Sequence, residues 1–251
     1  MTLLIDADWL IYSACAACET DIRWDEWINT LHLEQADVKD FISSRLSYWR
    51  ELSGHKEVVM CLSDYPTFRH EIHKDYKANR IGKRKPLGLR DIRLWVEQSY
   101  ATRTCVGLEA DDVMGVLATG GYYHDPIIVS IDKDMRTLPC QLLAGDEVVT
   151  IHLADANRTW MQQTLTGDAT DNYQGLKGFG PVTAAKALAD ATTLPELWDK
   201  VTAAYKKGGR SFQDALLNAR LARILRHGDY DFASGDIKLW DPDVDPSMKA
   251  A

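Results

Sequence analysis

Nine carboxylates in five separate stretches of this chain have types and spacings that could do chemistry: Asp6; Asp64; Glu109, Asp111 and Asp112; Asp132 and Asp134; and Asp168 and Asp171. Brought to one place as bare anions, they would repel one another and raise several of their own pKa values. Hard divalent cations resolve that conflict, and an all-oxygen donor set suits Mg²⁺ or Mn²⁺ rather than zinc. Two such ions about 4 Å apart activate a water and stabilise the attacking and leaving oxygens of a phosphodiester. Each acid also has a bland reading when taken singly. Glu109 to Asp112 suit the first turn of any helix, and Asp132 and Asp134 suit caps.

The elements that must position these acids favour the shared site. Residues 2–5, 57–62, 101–106 and 126–131 read as apolar strands, with helical spacing from about residue 8 and over 34–52, 87–98 and 109–118. Strands separated by helices predict an α/β fold with a mainly parallel central sheet flanked by helices. An acid or acid group follows each of the four strands, and ligands of such sheets bind at the carboxyl ends of the strands. Residues 141–152 read as one or two further strands, and 236–240 as an edge strand. Beyond about residue 158 the pattern is helical. The expected division is therefore a catalytic α/β region over 1–155 and a helical region over 156–251, packed together as one unit.

The helical region holds the most specific motif, a glycine-rich turn within GDATDNYQGLKGFGPVTAAKAL at 167–188. Gly178 and Gly180 permit a tight turn and close approach, and Pro181 suits the first position of a helix. Val182, Ala185 and Leu188 then share an apolar face. This reads as a helix–hairpin–helix at about 168–190, whose backbone N–H groups offer a phosphate site blind to base sequence. Lys177 and Lys186 would add charge. An ordinary interhelical turn would look similar, but this one follows directly on Asp168 and Asp171.

The net charge of −8 by itself opposes nucleic-acid binding. Its distribution does not. Residues 65–90 hold eight basic residues against Glu71 and Asp75, a net +6 that leaves −14 for the rest. Five cysteines, with Cys15 and Cys18 spaced C-x-x-C and no second pair, argue against a disulfide framework or a zinc site. They read as small residues on a buried helix face. No run is long enough for a membrane span, and Asp6 and Asp8 interrupt the apolar N-terminus, which has no basic n-region. A cytoplasmic protein is expected, in the host cell if the chain is phage-encoded.

Taken together, these stretches resemble the 5′-nuclease (flap endonuclease-like, PIN-like) superfamily, and within it the phage 5′→3′ exonucleases. The matching segments are LLIDAD at 3–8, SDYPTFRHEIHKDYKANR at 63–80, LEADDVMGVLAT at 108–119, VSIDKDMRTLP at 129–139, LTGDATDNYQGLKGFGPVTAAKAL at 165–188 and LARILRHGDYDF at 221–232. The resemblance implies metal-site roles, direct or through water, for Asp6, Asp64, Glu109, Asp111, Asp112, Asp132, Asp134, Asp168 and Asp171. Asp8 stands beside the site without being demanded by the motif.

The same resemblance makes residues 65–90 a basic helical arch or clamp over the site. Lys77 and Arg80 would contact the scissile phosphate, Tyr76 would stack on the terminal base, and Lys83, Arg84 and Lys85 would guide frayed 5′ ends. A solvated mobile loop is the equal alternative for those last three residues. A potassium ion is implied at the helix–hairpin–helix. The implied activity is a two-metal 5′→3′ exodeoxyribonuclease acting on duplex DNA, and on RNA primers in RNA–DNA hybrids. It would leave 5′-phosphorylated mono- or short oligonucleotides and serve phage-type replication, primer removal or recombination. The chain is expected to act as a monomer, without an attached polymerase. A structure-specific 5′-flap endonuclease, a non-catalytic DNA-binding module and a ribonuclease of the same fold are the rival readings.

Overall fold

Three apolar runs, at 3–5, 58–62 and 127–129, are buried along their whole length, as strands covered on both faces must be. The computed structural model describes residues 1–249. Its main sheet comprises β1 (Thr2–Asp6), β4 (Glu57–Leu62), β5 (Ala101–Thr104), β6 (Pro126–Val129), β7 (Gln141–Ala144) and β8 (Glu147–Thr150) in the order β5-β4-β1-β6-β7-β8. All neighbours are parallel except the hairpin pair β7 and β8. The mainly parallel α/β sheet expected from the sequence is therefore present. The expected edge strand at 236–240 is reduced to one bridge between Tyr230 and Ile237.

Alternation along β1 divides the core. Leu3 and Ile5 face helices α1 (Ala7–Cys18), α2 (Gln35–Ser53) and α4 (Leu89–Ser99), while Leu4 faces α5 (Ala110–Thr119). Ile224, Leu225 and Tyr230 also join the α5 side, so the chain beyond residue 222 returns to the α/β region. The helices α6 (Leu153–Thr166), α7 (Pro181–Ala187), α8 (Leu194–Lys207) and α9 (Phe212–Ala222) form a separate cluster around Trp160 and Trp198. Trp240 closes it, its ring edge-on to both at 4.8 and 4.9 Å. The helical cluster thus begins at Leu153. Residues 250 and 251 of its expected span lie outside the described residues.

Two features depart from expectation. Residues 65–90 do not form a helical arch. They contain only the five-residue helix α3 (Phe68–Ile72), a 3₁₀ turn at Ala78–Arg80 and irregular chain to Gly88. The reason is that Phe68, Arg69 and Tyr76 are buried, which holds this stretch down against the body. Secondly, an antiparallel hairpin of β2 (Thr20–Arg23) and β3 (Asn29–His32) follows α1. Both of its faces are mostly exposed, so it has no hydrophobic alternation to reveal it. No helix among the described residues is long and apolar enough to cross a membrane.

Candidate active site

Asp6 ends β1 and caps α1. Its Oδ1 accepts the Trp9 N–H at 3.0 Å and its Oδ2 accepts the Ser130 hydroxyl at 2.9 Å. Burial outweighs these bonds, and repulsion from Asp8 and Asp132 adds to it, so the carboxyl is pushed up to about 6. Asp111, in the first turn of α5, accepts no hydrogen bond from any described residue. Removal from water, then repulsion from Asp6, Asp132 and Glu109, hold it well above the ordinary carboxylate range. Asp132 follows β6 and caps a 3₁₀ turn, accepting the Asp134 N–H at 2.8 Å. Asp134 is raised to about 6 by burial and by Asp132, although Gln163 donates to it at 2.8 Å. Acids from β1, α5 and the turn after β6 thus meet at one edge of the sheet.

A second group faces them. Glu109 Oε1 accepts the Lys77 ammonium at 2.6 Å, and its Oε2 lies 3.0 Å from the Tyr76 hydroxyl. Burial alone would raise Glu109, but Lys77 and Arg69 outweigh it and leave the carboxyl below its usual value. Burial works against the Lys77 charge in the same way, yet Glu109 and Asp171 prevail and lift it to about 12. Asp171 accepts from Arg80 at 2.6 Å through Oδ1, and its Oδ2 is 2.8 Å from the Tyr76 hydroxyl. Asp168 meets Lys133 at 3.1 Å and the Thr170 N–H at 2.6 Å; these overcome the effect of burial and lower its pKa.

Two sequence assignments need correction. Asp112 is fully buried, and both its oxygens are occupied. Arg69 grips it bidentately at 2.6 and 2.8 Å, and the N–H groups of Leu225 and Glu109 complete the set. It is the partner of a buried guanidinium, not an open ligand. Asp64 lies beside the start of α5: its N–H donates to the Leu108 carbonyl at 2.9 Å and its Oδ2 accepts the Gly107 N–H at 3.0 Å. Tyr76 cannot offer a face for stacking because it is only 3% exposed. It buttresses Glu109 and Asp171 instead.

Asp8 stands beside the site as expected, bonded to the Ser63 N–H at 2.9 Å and to Arg93 at 3.3 Å. Lys83, Arg84 and Lys85 are exposed, but Arg84 is pinned by two bonds to Glu19 at 2.9 and 2.6 Å.

The glycine-rich turn joins α6 to α7, with Lys177 exposed on the turn and Lys186 exposed on α7. A two-residue hairpin, β9 (Gly167–Asp168) with β10 (Tyr173–Gln174), carries Asp168 and Asp171 toward the acid cluster. Gly178 supplies a left-handed turn (φ +85°). The close approach is elsewhere: a Cβ on Gly175 would lie 2.2 Å from the Thr166 carbonyl carbon, and one on Gly167 2.2 Å from the Gly175 nitrogen. Sequence reading also missed Arg69 and Lys133. Neither has a local signal beyond its charge, since the partners Asp112 and Asp168 lie 43 and 35 residues away.

Among the described residues, no three acid, histidine or cysteine side chains converge closely enough to hold a metal ion as they stand. Lys77, Arg80 and Lys133 occupy positions among the acids and neutralise part of their charge. The donor set nevertheless fits hard divalent cations. It is all oxygen, and Asp111 is desolvated, without a hydrogen bond, and surrounded by like charges.

Comparison with known proteins agrees with this geometry. The family model described as "5′-3′ exonuclease, N-terminal resolvase-like domain" matches residues 1–169. The chain is 28% identical to the exonuclease of Escherichia phage T7, over 96% of this chain and 93% of that protein. It is also 28% identical to the exodeoxyribonuclease of Enterobacteria phage T3, over 96% and 92%. Among solved structures, the T5 D15 protein co-crystallised with metal ions has the same fold (TM-score 0.63, 16% identity, 88% of each chain). So does T5 5′-exonuclease with bound zinc (TM-score 0.63, 17% identity, 88% of each chain). The acids at the sheet edge, the match over residues 1–169 and the near full-length phage relatives lead to one conclusion: the chain belongs to the 5′-3′ exonuclease family.

Proposed function

We propose that the chain is a Mg²⁺- or Mn²⁺-dependent 5′→3′ exodeoxyribonuclease that removes 5′-phosphorylated mono- or short oligonucleotides from duplex DNA and from RNA primers on DNA. The observation that carries this is the desolvated, unpartnered Asp111 set among Asp6, Asp132 and Glu109, opposite the cations Lys77 and Arg80. Asp6, Asp111, Asp132 and Asp134 would hold one or two divalent ions, with Glu109, Asp168 and Asp171 on the facing side. Such ions supply an activated water and charge stabilisation at phosphorus.

The chain's own groups do the rest. Lys77 stays protonated at physiological pH and presents a fixed charge between Glu109 and Asp171. Arg80 adds a planar fork suited to phosphate oxygens. Tyr76 keeps both acids oriented through its hydroxyl. The exposed Lys177 and Lys186, with the backbone of the glycine-rich turn and a potassium ion, would hold the duplex by its phosphates. We place the enzyme, as a monomer, in the cytoplasm.

A 5′-flap endonuclease is the second reading, supported by a T5 relative of the same fold that is described as a flap endonuclease bound to DNA and metal ions. A 5′-labelled blunt duplex and a 5′-flap substrate, each with Mg²⁺ and with EDTA, test both. Release of 5′-mononucleotides from the duplex supports the exonuclease. Cleavage confined to the flap supports the second reading. Absent cleavage would leave a DNA-binding module, and cleavage that persists in EDTA would overturn the metal dependence.

A further inference from the structure

A cavity of about 560 Å³ opens beside the acid cluster, between α1, α2 and the ends of β6 and β7. It falls within the ~300–1,000 Å³ range of small-molecule sites. Trp9, Ile131, Asp132 and Lys133 line both this cavity and the opening above Asp6, so the two adjoin. None of the roles assigned above uses it.

Its lining is aromatic and cationic. The Trp9 ring is half-buried and backed at 6.0 Å by the buried Trp49 ring, and the Trp9 backbone is fixed by its bond to Asp6. Arg45 from α2 rests over the Phe41 ring at 5.4 Å, and Arg136 comes from the turn after β6. Neither Arg45 nor Arg136 makes a side-chain hydrogen bond or ion pair with any described residue. Of the lining acids outside the cluster, Asp146 is already held by the Tyr48 hydroxyl at 2.7 Å. Two guanidiniums from different elements, without acid partners, beside the partly exposed Trp9 ring suit a ligand that is both an anion and an aromatic ring.

We propose that this cavity seats a 5′-phosphorylated nucleotide, with its base against Trp9 and its phosphate against Arg45 and Arg136. The occupant is either the terminal nucleotide of the strand being cut or the mononucleotide just released. This inference rests on the nuclease reading for its biological meaning. A seat for one nucleotide beside the acids would set cleavage one residue in from a 5′-phosphate.

Two measurements test it. The first is binding of dAMP, with deoxyadenosine as comparison, to the metal-free protein in EDTA by calorimetry. The second is the ratio of kcat/KM for 5′-phosphorylated over 5′-hydroxyl duplex. Both arginines are exposed, so the double variant Arg45→Ala/Arg136→Ala should fold, and a thermal melt checks that. We expect dAMP to bind the wild type and to lose about tenfold or more in affinity in the variant, as expected for lost charge-assisted bonds to phosphate. A loss of the 5′-phosphate preference would identify the strand terminus as occupant. An unchanged preference with weaker dAMP binding would identify the released product. Equal dAMP affinity and equal preference in both proteins overturn the proposal, as does a wild type that neither binds dAMP nor distinguishes the two ends. Arginine-dependent dAMP binding in a protein without metal-dependent cleavage would instead defeat the nuclease reading and leave the nucleotide site standing.

Discussion

The Lys77 ammonium sits 2.6 Å from Glu109 Oε1 and 3.7 Å from Asp171 Oδ2, bridging an acid on the α5 N-terminus and an acid on the glycine-rich motif. Lys77 adopts a left-handed backbone (φ +54°) while its N–H donates to the Asp171 carbonyl at 2.9 Å. The basic segment is thus joined to the helical region through both backbone and side chain, at the point where a phosphate would meet its positive charge.

Lys77→Ala is expected to slow single-turnover cleavage by about 10²-fold or more, the scale seen when one donor to developing charge is removed. DNA affinity in Ca²⁺ or EDTA should change far less. A variant with normal single-turnover rate and only weaker binding would remove the proposed role at the scissile phosphate.

Asp132→Ala and Asp171→Ala are each expected to abolish Mg²⁺-dependent cleavage while gel-shift binding of duplex DNA persists. Residual cleavage near wild type in either would contradict the assignment of that acid.

Asp112→Ala tests its reassignment. Removing one partner of a buried ion pair costs about 3–5 kcal/mol because the other charge is stranded. Arg69 is buried, and it also donates to the Leu221 and Arg223 carbonyls at 3.1 and 2.6 Å. A large fall in Tm for metal-free Asp112→Ala is expected. A wild-type Tm with lost metal affinity would restore Asp112 as a ligand.

The raised carboxyl of Asp6 sets a pH dependence. In the unfolded chain it releases its proton near the ordinary value of 3.8, and in the folded protein only near 6. Between those values the folded state binds more protons, so this group's contribution to stability is present below about pH 4 and is lost as pH rises through 6. In metal-free protein, Asp6→Asn should therefore gain Tm relative to wild type on going from pH 4 to pH 7, and added Mg²⁺ should reverse the gain. A difference in Tm that stays constant with pH would contradict the shift.

Much was legible in the sequence. Buried parallel strands must be apolar throughout, so residues 3–5, 57–62 and 126–129 announced themselves, and acids placed within three residues of the ends of two of them, Asp6 and Asp132, had to emerge at the same edge of the sheet. The motifs at 3–8, 108–119, 129–139 and 165–188 were enough for the family. The tertiary structure decided which acids stay open and what the other polar groups do. Asp111 and Asp112 are adjacent in one helical turn, about 100° apart around its axis. That rotation leaves Asp111 with Asp6 and Asp132 and sends Asp112 to Arg69. Tyr76 reads as a surface aromatic in a basic segment, yet its burial depends on Glu109 and Asp171, which lie 33 and 95 residues away. Such partners are fixed by packing across the fold, and no local periodicity encodes them.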